Sequence, residues 1–151
     1  MKQKNRIRKN LIAAFCLAVA LLIPFLAEAV SYRSMFASYK QTTFNSSKGM
    51  LSDEANAITQ THDGYLWVGS YAGLMRYNGQ EFQQMRDRDN DPVSRVNCLY
   101  EDSKRRLWIG TVDEGTYIYE GGLIRNLPMM HFPNQKAIVE DREGKIYIAA
   151  S

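Results

Sequence analysis

Short apolar runs, separated by residues that favour turns, recur along the chain after position 56. Residues 66–68 and 107–109 are apolar throughout, with a tryptophan at each centre. Because side chains alternate between the two faces of a strand, an unbroken apolar run this short predicts a strand buried on both faces. The pairs Asp-Gly at 63–64 and Glu-Gly at 143–144 precede such runs and are typical of hairpin turns. The pattern therefore predicts antiparallel strands rather than helices.

The same pattern repeats with a period of about 40 residues. Residues 57–69, 98–110 and 137–149 align with one another. The alignment gives each repeat an aromatic residue at the same position: Trp67, Trp108 and Tyr147. A period near 40 is the size of one four-stranded blade of a β-propeller, in which each blade packs face to face against its neighbours. We predict an all-β fold, a partial β-propeller of about two and a half four-stranded blades.

Blade boundaries follow from the repeat. The predicted blades occupy residues 56–95 and 96–135, with a partial blade at 136–151. The third strands of the two full blades are predicted at residues 74–77 and 116–119, and the outer strands begin near Phe82 and Ile124.

A further segment, residues 30–55, precedes the first blade. Residues 39–44 within it also have the composition of a strand and occupy the slot of a preceding blade's outer strand. In a closed propeller such a strand completes the last blade and covers sheet edges that would otherwise be exposed. We therefore predict a closing strand in this segment.

The first 29 residues have the three-part layout of a secretory signal. Residues 2–9 are basic, residues 11–26 are apolar apart from Pro24, and Ala27-Glu28-Ala29 forms a cleavage motif of small residues. The alternative is an uncleaved anchor helix that holds the chain to the membrane. Both interpretations place the rest of the chain outside the cytoplasm, because the basic flank stays inside.

The net charge of +3 is distributed unevenly. Its excess comes from the leader, which carries Lys2, Lys4, Arg6, Arg8 and Lys9. Beyond Ala29 the acidic and basic residues nearly balance. The positive charge therefore gives no support to binding of nucleic acid.

Residues 49–82 resemble the two-component regulator propeller repeat. The resemblance lies in Leu51-Ser52, in Asn56-Ala57-Ile58, in the run from Asp63 to Gly69 (Asp-Gly-Tyr-Leu-Trp-Val-Gly), and in the run from Gly73 to Gly79 (Gly-Leu-Met-Arg-Tyr-Asn-Gly). The second repeat has Arg105 in place of the turn glycine and an extra residue around 113–115, while the third has Tyr147 for tryptophan and Ala149 for glycine.

The resemblance implies a role in signalling. Repeats of this family form periplasmic or extracellular sensor regions of hybrid histidine kinases and membrane-bound diguanylate cyclases. The implied function is an extracytoplasmic ligand-sensing input module, whose partners would be the remaining propeller blades and a cytoplasmic output domain. The ligand stays unidentified at this stage, with a glycan fragment as one candidate.

Ligands of propellers usually meet loops at one end of the central channel. Tyr71, Asp113 and Glu114 follow the tryptophan-bearing strands, so they are the candidate ligand-binding residues. The alternative function is an exported propeller enzyme that acts on polysaccharide. No paired acid and base stand out in the sequence, so we predict no enzyme activity, no catalytic residue and no cofactor.

The remaining conspicuous residues have structural interpretations. Packing between blades explains the repeated aromatic residues better than sugar stacking does. Turn and close-packing roles are predicted for Gly64, Gly69, Gly110 and Gly144, and turn chemistry for Asp63, Asp102 and Asp141. His62 and His131 are predicted in loops, and their spacing does not suggest a metal site. Cys98 is predicted to be a small buried apolar side chain.

Overall fold

The computed structural model describes residues 39–130 and 132–151. The predictions for the leader, for residues 30–38 and for His131 therefore lie outside the described residues. The chain forms two compact units, residues 1–42 and 43–151, and the second contains the strands described below. Within the described residues, no helix is long and apolar enough to cross a membrane.

The first sheet is a four-stranded antiparallel meander. Its strands are β1 (Ala57–Gln60), β2 (Leu66–Ser70), β3 (Gly73–Tyr77) and β4 (Phe82–Gln84), in that spatial order. In the middle of the sheet, Trp67 stands opposite Thr59 on one side and Arg76 on the other. Short turns join the strands, as the Asp-Gly and Asn-Gly pairs predict.

The second sheet repeats this arrangement, and the third contains two strands. The second consists of β5 (Val96–Glu101), β6 (Leu107–Thr111), β7 (Thr116–Glu120) and β8 (Leu123–Leu127). A short 3-10 turn at Pro128–Met130 leads to β9 (Gln135–Glu140), which pairs with β10 (Ile146–Ala150). The predicted all-β fold is confirmed, and the successive antiparallel sheets are consistent with a partial propeller.

The strand predicted at residues 39–44 is absent from the structure. The backbone shows no regular structure from 39 to 45, and a 3-10 turn follows at Ser46–Lys48. A strand forms only where its backbone groups pair with a neighbouring strand. Phe44 instead packs its ring edge-on against Tyr77 and Phe82, with ring centroids 5.2 and 5.4 Å apart. The predicted strand would pair with the last blade of a closed propeller, a blade that the described residues do not contain, so the closing strand stays a prediction.

Two apolar clusters lie between neighbouring sheets. The first joins Trp67 and Leu74 of the first sheet to Leu107 and Ile109 of the second. The second cluster joins the second sheet to the third and contains Cys98, Trp108, Ile118 and Ile138. The second sheet is therefore covered on both faces, which explains the uninterrupted apolar run in β6.

The first and third sheets are each covered on one face. Ile58 of β1 is mostly exposed, on the face of the first sheet that points away from the second sheet. Val139 and Tyr147 are about half exposed on the opposite side of the array, on the outer face of the third sheet. These two outer faces are apolar surfaces in the described part of the chain.

Candidate functional site

The repeated aromatic residues are anchored by the turn that precedes their strand. Trp67 donates its indole N–H to Thr61 Oγ1 (2.9 Å), and Trp108 donates to Asp102 Oδ2 (2.8 Å). Tyr147 donates its hydroxyl to Asp141 Oδ2 at 3.0 Å. Both tryptophans are buried between sheets. This geometry supports packing rather than ligand contact for the tryptophans.

The turn residues that perform this anchoring were only partly recognised in the sequence. Asp102 and Asp141 occupy the anchoring position, but in the first repeat that position is Thr61 rather than Asp63. Asp63 instead accepts a hydrogen bond from the Thr61 hydroxyl at 2.6 Å. A threonine hydroxyl can also accept a hydrogen bond from tryptophan, so the acid is not required there.

Asp102 shows why these acids are structural. Its Oδ1 accepts the backbone N–H groups of Lys104 and Arg106, each at 2.9 Å, and its Oδ2 also accepts from Arg106 Nε at 2.7 Å. Burial raises the pKa of Asp102, but hydrogen bonds from Trp108 and Arg106 outweigh it, so the net pKa is lowered. A carboxylate held ionised by its own turn has little capacity left for catalysis.

The predicted structural glycines fall into two groups. Gly64 and Gly144 have φ of +89° and +82°, which is the left-handed conformation that a tight turn requires. Gly69 and Gly110 instead face the next sheet. A Cβ at Gly69 would lie 2.4 Å from Val96 Cγ1 of the second sheet. One at Gly110 would lie 2.4 Å from Cys98 Sγ of its own sheet and 2.9 Å from Gln135 Oε1 of the third sheet. The missing side chains let adjacent strands pack closely.

The structure brings the three candidate ligand-binding residues together around one arginine. The backbone N–H of Arg95 donates to the carbonyl of Tyr71 at 3.1 Å, and Arg95 Nε lies 3.3 Å from Asp113 Oδ2. Ser94, the preceding residue, donates its hydroxyl to Glu114 Oε1 at 2.7 Å. We call Tyr71, Ser94, Arg95, Asp113 and Glu114 the Arg95 cluster.

Arg95 is held in an unusual backbone conformation. Its φ of +49° lies in the left-handed region, which costs a non-glycine residue about 1–2 kcal/mol. Besides the bond to Tyr71, its carbonyl accepts from the backbone N–H of Val112 at 3.0 Å. The residue therefore bridges the β2–β3 turn of the first sheet and the β6–β7 turn of the second. Strained residues that are held in this way occur frequently at ligand sites.

The members of the Arg95 cluster differ in how free they are to bind a ligand. The side chains of Arg95 and Asp113 are each 52% exposed, and the Tyr71 ring is about half exposed. Glu114 is committed, because it accepts from Ser94 and from the Tyr117 hydroxyl at 3.1 Å. Burial raises the pKa of Tyr117, and the nearby Glu114 carboxylate adds to that increase. The exposed part offers a guanidinium, a carboxylate and an aromatic ring.

Arg95 was not identified as a candidate from the sequence. Its only local signal is its position directly before a predicted first strand. Asn134 holds the equivalent position before β9, also has a φ of +49°, and donates its backbone N–H to the Val112 carbonyl at 2.5 Å. The left-handed residue is thus a repeated feature of the connection between sheets, whereas the guanidinium occurs in one repeat.

A concavity of about 270 Å³ lies at the other end of the first sheet. It is lined by Asp63, Gly64, Tyr65 and Asn78. Asn78 Oδ1 already accepts the backbone N–H groups of Gln80 and Glu81. The polar groups of this concavity are therefore used to hold two turns, which leaves the Arg95 cluster as the better candidate.

The remaining candidates for chemistry are accounted for by their surroundings. Burial raises the pKa of the Cys98 thiol to about 11, so the thiolate that would react is scarce. His62 lies in the β1–β2 turn and contacts Glu101 of the next sheet. Across residues 39–130 and 132–151, no group of three His, Cys, Asp or Glu side chains is placed to hold a metal ion.

Two segments of the chain match a known family of repeats. The two-component regulator propeller family model matches residues 49–72 and 90–113, which contain the first two sheets' β1–β2 and β5–β6 hairpins. These segments are two-component regulator propeller repeats, and the family predicted from the sequence is confirmed. No curated protein matches the chain.

A solved structure matches most of the chain. It is the extracellular domain of BT3049 from B. thetaiotaomicron, a protein assigned to a hybrid two-component system. The match has 21% sequence identity and a TM-score of 0.58, and it covers 74% of this chain but 17% of that one. The likeness establishes a shared fold, and this chain spans about a sixth of the length of that relative.

Proposed function

We propose that this chain is part of an extracytoplasmic ligand-binding input module of a bacterial signal-transduction protein. The family match supports a sensor-type propeller, and the basic and apolar leader with its Ala27-Glu28-Ala29 motif supports export. The structural neighbour is itself described as an extracellular domain. In this proposal, further blades complete the module, and a cytoplasmic kinase or cyclase domain supplies the output.

The observation that carries ligand binding is the Arg95 cluster. A guanidinium donates in fixed directions, and the Asp113 carboxylate beside it only accepts, so adjacent hydroxyl groups of a sugar can satisfy both. Tyr71, whose backbone carbonyl accepts from Arg95, also carries a half-exposed ring, and an aromatic ring offers an apolar surface to the C–H face of a sugar. We therefore propose a glycan fragment as the ligand.

The position of the cluster suggests how binding would be transmitted. Arg95 is hydrogen-bonded to Tyr71 of the first sheet and to Val112 of the second. A ligand that binds only one relative arrangement of these turns shifts the population toward that arrangement. We propose that ligand binding is read out as a change in how adjacent blades are held together.

We also propose that the module is non-catalytic. Glu114 is held by Ser94 and Tyr117, and Asp113 is paired with Arg95, so neither acid of the cluster stands beside a free base. General acid or base catalysis needs a titratable side chain that is free to exchange a proton with the reacting group.

A substitution that removes the negative charge of Asp113 tests the proposed site. The full chain, kept in solution with a mild detergent, would be applied to an array of neutral and acidic oligosaccharides, and the strongest hit measured by isothermal titration calorimetry. Asp113→Asn should weaken binding of that oligosaccharide about tenfold or more, because it removes a charged hydrogen-bond acceptor.

The matched control is Glu120→Gln. Glu120 pairs with Arg125 at 2.9 Å, and the two side chains are 49% and 48% exposed, much like Asp113 and Arg95, but the pair lies on β7 and β8. The control should bind like the wild type. The proposed site is contradicted if the two variants bind equally well, or if no oligosaccharide on the array binds.

A further inference from the structure

The two acids of the Arg95 cluster differ in how their negative charge is balanced. Asp113 lies beside a cation, because Arg95 Nε is 3.3 Å from its Oδ2. The Glu114 side chain instead accepts from two hydroxyl groups, that of Ser94 at 2.7 Å and that of Tyr117 at 3.1 Å. A hydroxyl group satisfies a hydrogen bond but brings no positive charge. Among the described residues, no lysine, arginine or histidine forms an ion pair with Glu114.

The cluster therefore has a net negative charge. Arg95 contributes +1, and Asp113 and Glu114 contribute −1 each, which gives −1. The buried Tyr117 hydroxyl responds to this charge. Its pKa is raised, first by burial and then by the negative charges of Glu114 and Asp87, although a side-chain hydrogen bond lowers it. A ligand at the cluster meets an excess of negative charge.

The two acids belong to one turn only. They lie in the β6–β7 turn of the second sheet, whereas the equivalent β2–β3 turn of the first sheet, residues 71–72, contains neither. The acidic turn is held firmly, because the Glu114 N–H donates to Thr111 Oγ1 and Asn126 Nδ2 donates to the Glu114 carbonyl, each at 2.9 Å. The first sheet forms without such a turn, so the fold does not require these acids, and they are available to determine specificity.

We propose that the Arg95 cluster selects glycans built from uncharged sugars and excludes those that carry carboxylates, with Glu114 as the residue that sets this preference. The inference rests on the proposed glycan-binding function of the same site. A uronate that reached Arg95 would have to displace Asp113 and would then lie beside two carboxylates. Like charges at such short range repel each other, whereas a sugar hydroxyl can both donate to Asp113 and accept from Arg95.

Pairs of oligosaccharides that differ only at C6 test this preference. Gluco-, manno- and galacto-oligosaccharides would be compared with the uronates made from them by oxidation of the primary alcohol. Each would be titrated by calorimetry into the full chain, kept in a mild detergent without a sugar headgroup. The neutral member of a binding pair should bind about tenfold more tightly at low salt. This ratio should fall toward one in about 1 M salt, where the Debye length is about 3 Å.

Three variants assign the preference to a residue. Glu114→Gln removes the charge but keeps the size of the side chain and one oxygen acceptor, so it should reduce the neutral-to-acidic affinity ratio about fivefold. Tyr117→Phe removes a hydrogen bond to the same carboxylate and leaves its charge, so the ratio should stay as in the wild type. Glu120→Gln removes a charge from an exposed pair on β7 and β8 and should also leave the ratio unchanged.

The outcomes separate this inference from the proposed function. If the uronates bind as tightly as their neutral counterparts, or more tightly, glycan binding stands and the charge selection is wrong. The role of Glu114 is also wrong if Tyr117→Phe reduces the ratio as much as Glu114→Gln does, because a structural effect then explains both. If no oligosaccharide of either kind binds, the proposed function itself fails. Should Glu114→Gln not fold, as judged by circular dichroism, the salt dependence of the wild-type ratio decides.

Discussion

Arg105 occupies the turn position that is glycine in the other two repeats. Its φ of +65° is close to those of Gly64 and Gly144, so the turn imposes the left-handed conformation whatever residue is present. The turn is held by Asp102, which accepts two backbone N–H groups and the Arg106 side chain. The replacement of glycine by arginine therefore strains the backbone of this turn but does not change the turn type.

This strain gives a stability prediction. Arg105→Gly should stabilise the chain by about 0.5–1 kcal/mol, because glycine adopts positive φ without the Cβ penalty and loses only part of that gain to unfolded-state entropy. Urea denaturation of the full chain in mild detergent, followed by tryptophan fluorescence, would measure the change. Lys104→Gly, one residue earlier in the same turn, should instead destabilise by roughly 0.5 kcal/mol. A destabilising Arg105→Gly would show that the arginine side chain has a stabilising contact.

At the scale of strands and sheets, equivalent positions in different repeats have different surroundings. Trp67 is completely buried between the first two sheets, whereas Tyr147 at the equivalent position is 48% exposed. The apolar pattern identifies the strand in both repeats, but burial depends on whether a neighbouring sheet is present. The energetic importance of the aromatic residue should therefore differ between repeats.

The difference is measurable by truncation. Trp67→Ala should destabilise the chain by about 3–5 kcal/mol, because it leaves a cavity between two sheets and a Thr61 hydroxyl without its donor. Tyr147→Ala should cost less than about 1 kcal/mol, because a half-exposed side chain leaves little void. Equal losses in urea denaturation of the full chain in mild detergent would contradict the packing interpretation.

Sequence patterns predicted the strands well, because alternation and turn pairs are local signals. The Asp-Gly at 63–64 and the apolar run that follows it define the β1–β2 hairpin without reference to any other part of the chain. The strand predicted at 39–44 depends on a partner outside the described sheets, and in the described residues Phe44 packs on the rings of Tyr77 and Phe82.

The features of the candidate site were harder to predict because they depend on distant residues. The three candidates Tyr71, Asp113 and Glu114 were identified from their place after the tryptophan-bearing strands. Arg95, which joins them, acquires its conformation from hydrogen bonds to residues in two different turns. The partner of His62 is similarly remote, because Glu101 is 39 residues away along the chain. Such contacts cannot be predicted from a local sequence pattern.

At the scale of the whole molecule, stacking of sheets organises the second compact unit. Each sheet covers one face of the next, and side-chain hydrogen bonds join neighbouring sheets. A stack of this kind leaves an apolar face at each end. On the first sheet this face includes a cavity of about 210 Å³, whose lining is Phe44, Met50, Ala55, Ile58, Leu66, Val68, Tyr77 and Phe82.

The two outer faces predict the behaviour of the chain in water. Residues 30–151 alone should be aggregated, loosely folded or oligomeric, because large exposed apolar patches and open sheet edges promote association. Addition of further repeats that cover both faces should restore a cooperative, monomeric fold, since blades bury their apolar surface mainly against neighbours. Size-exclusion chromatography with light scattering, together with binding of a hydrophobic dye, would follow both effects.

Substitution on the outer faces isolates the cause. Ile58→Lys combined with Val139→Lys should raise the monomer fraction and lower dye binding, because it places a charge on each open face. Met129→Lys is the control: Met129 is 95% exposed but lies in the 3-10 turn between sheets, so its replacement removes apolar surface without changing either face. If Met129→Lys improves solubility as much as the double variant, general surface hydrophobicity controls association. A sharply cooperative and strictly monomeric wild-type segment would show that the two faces are covered in some other way.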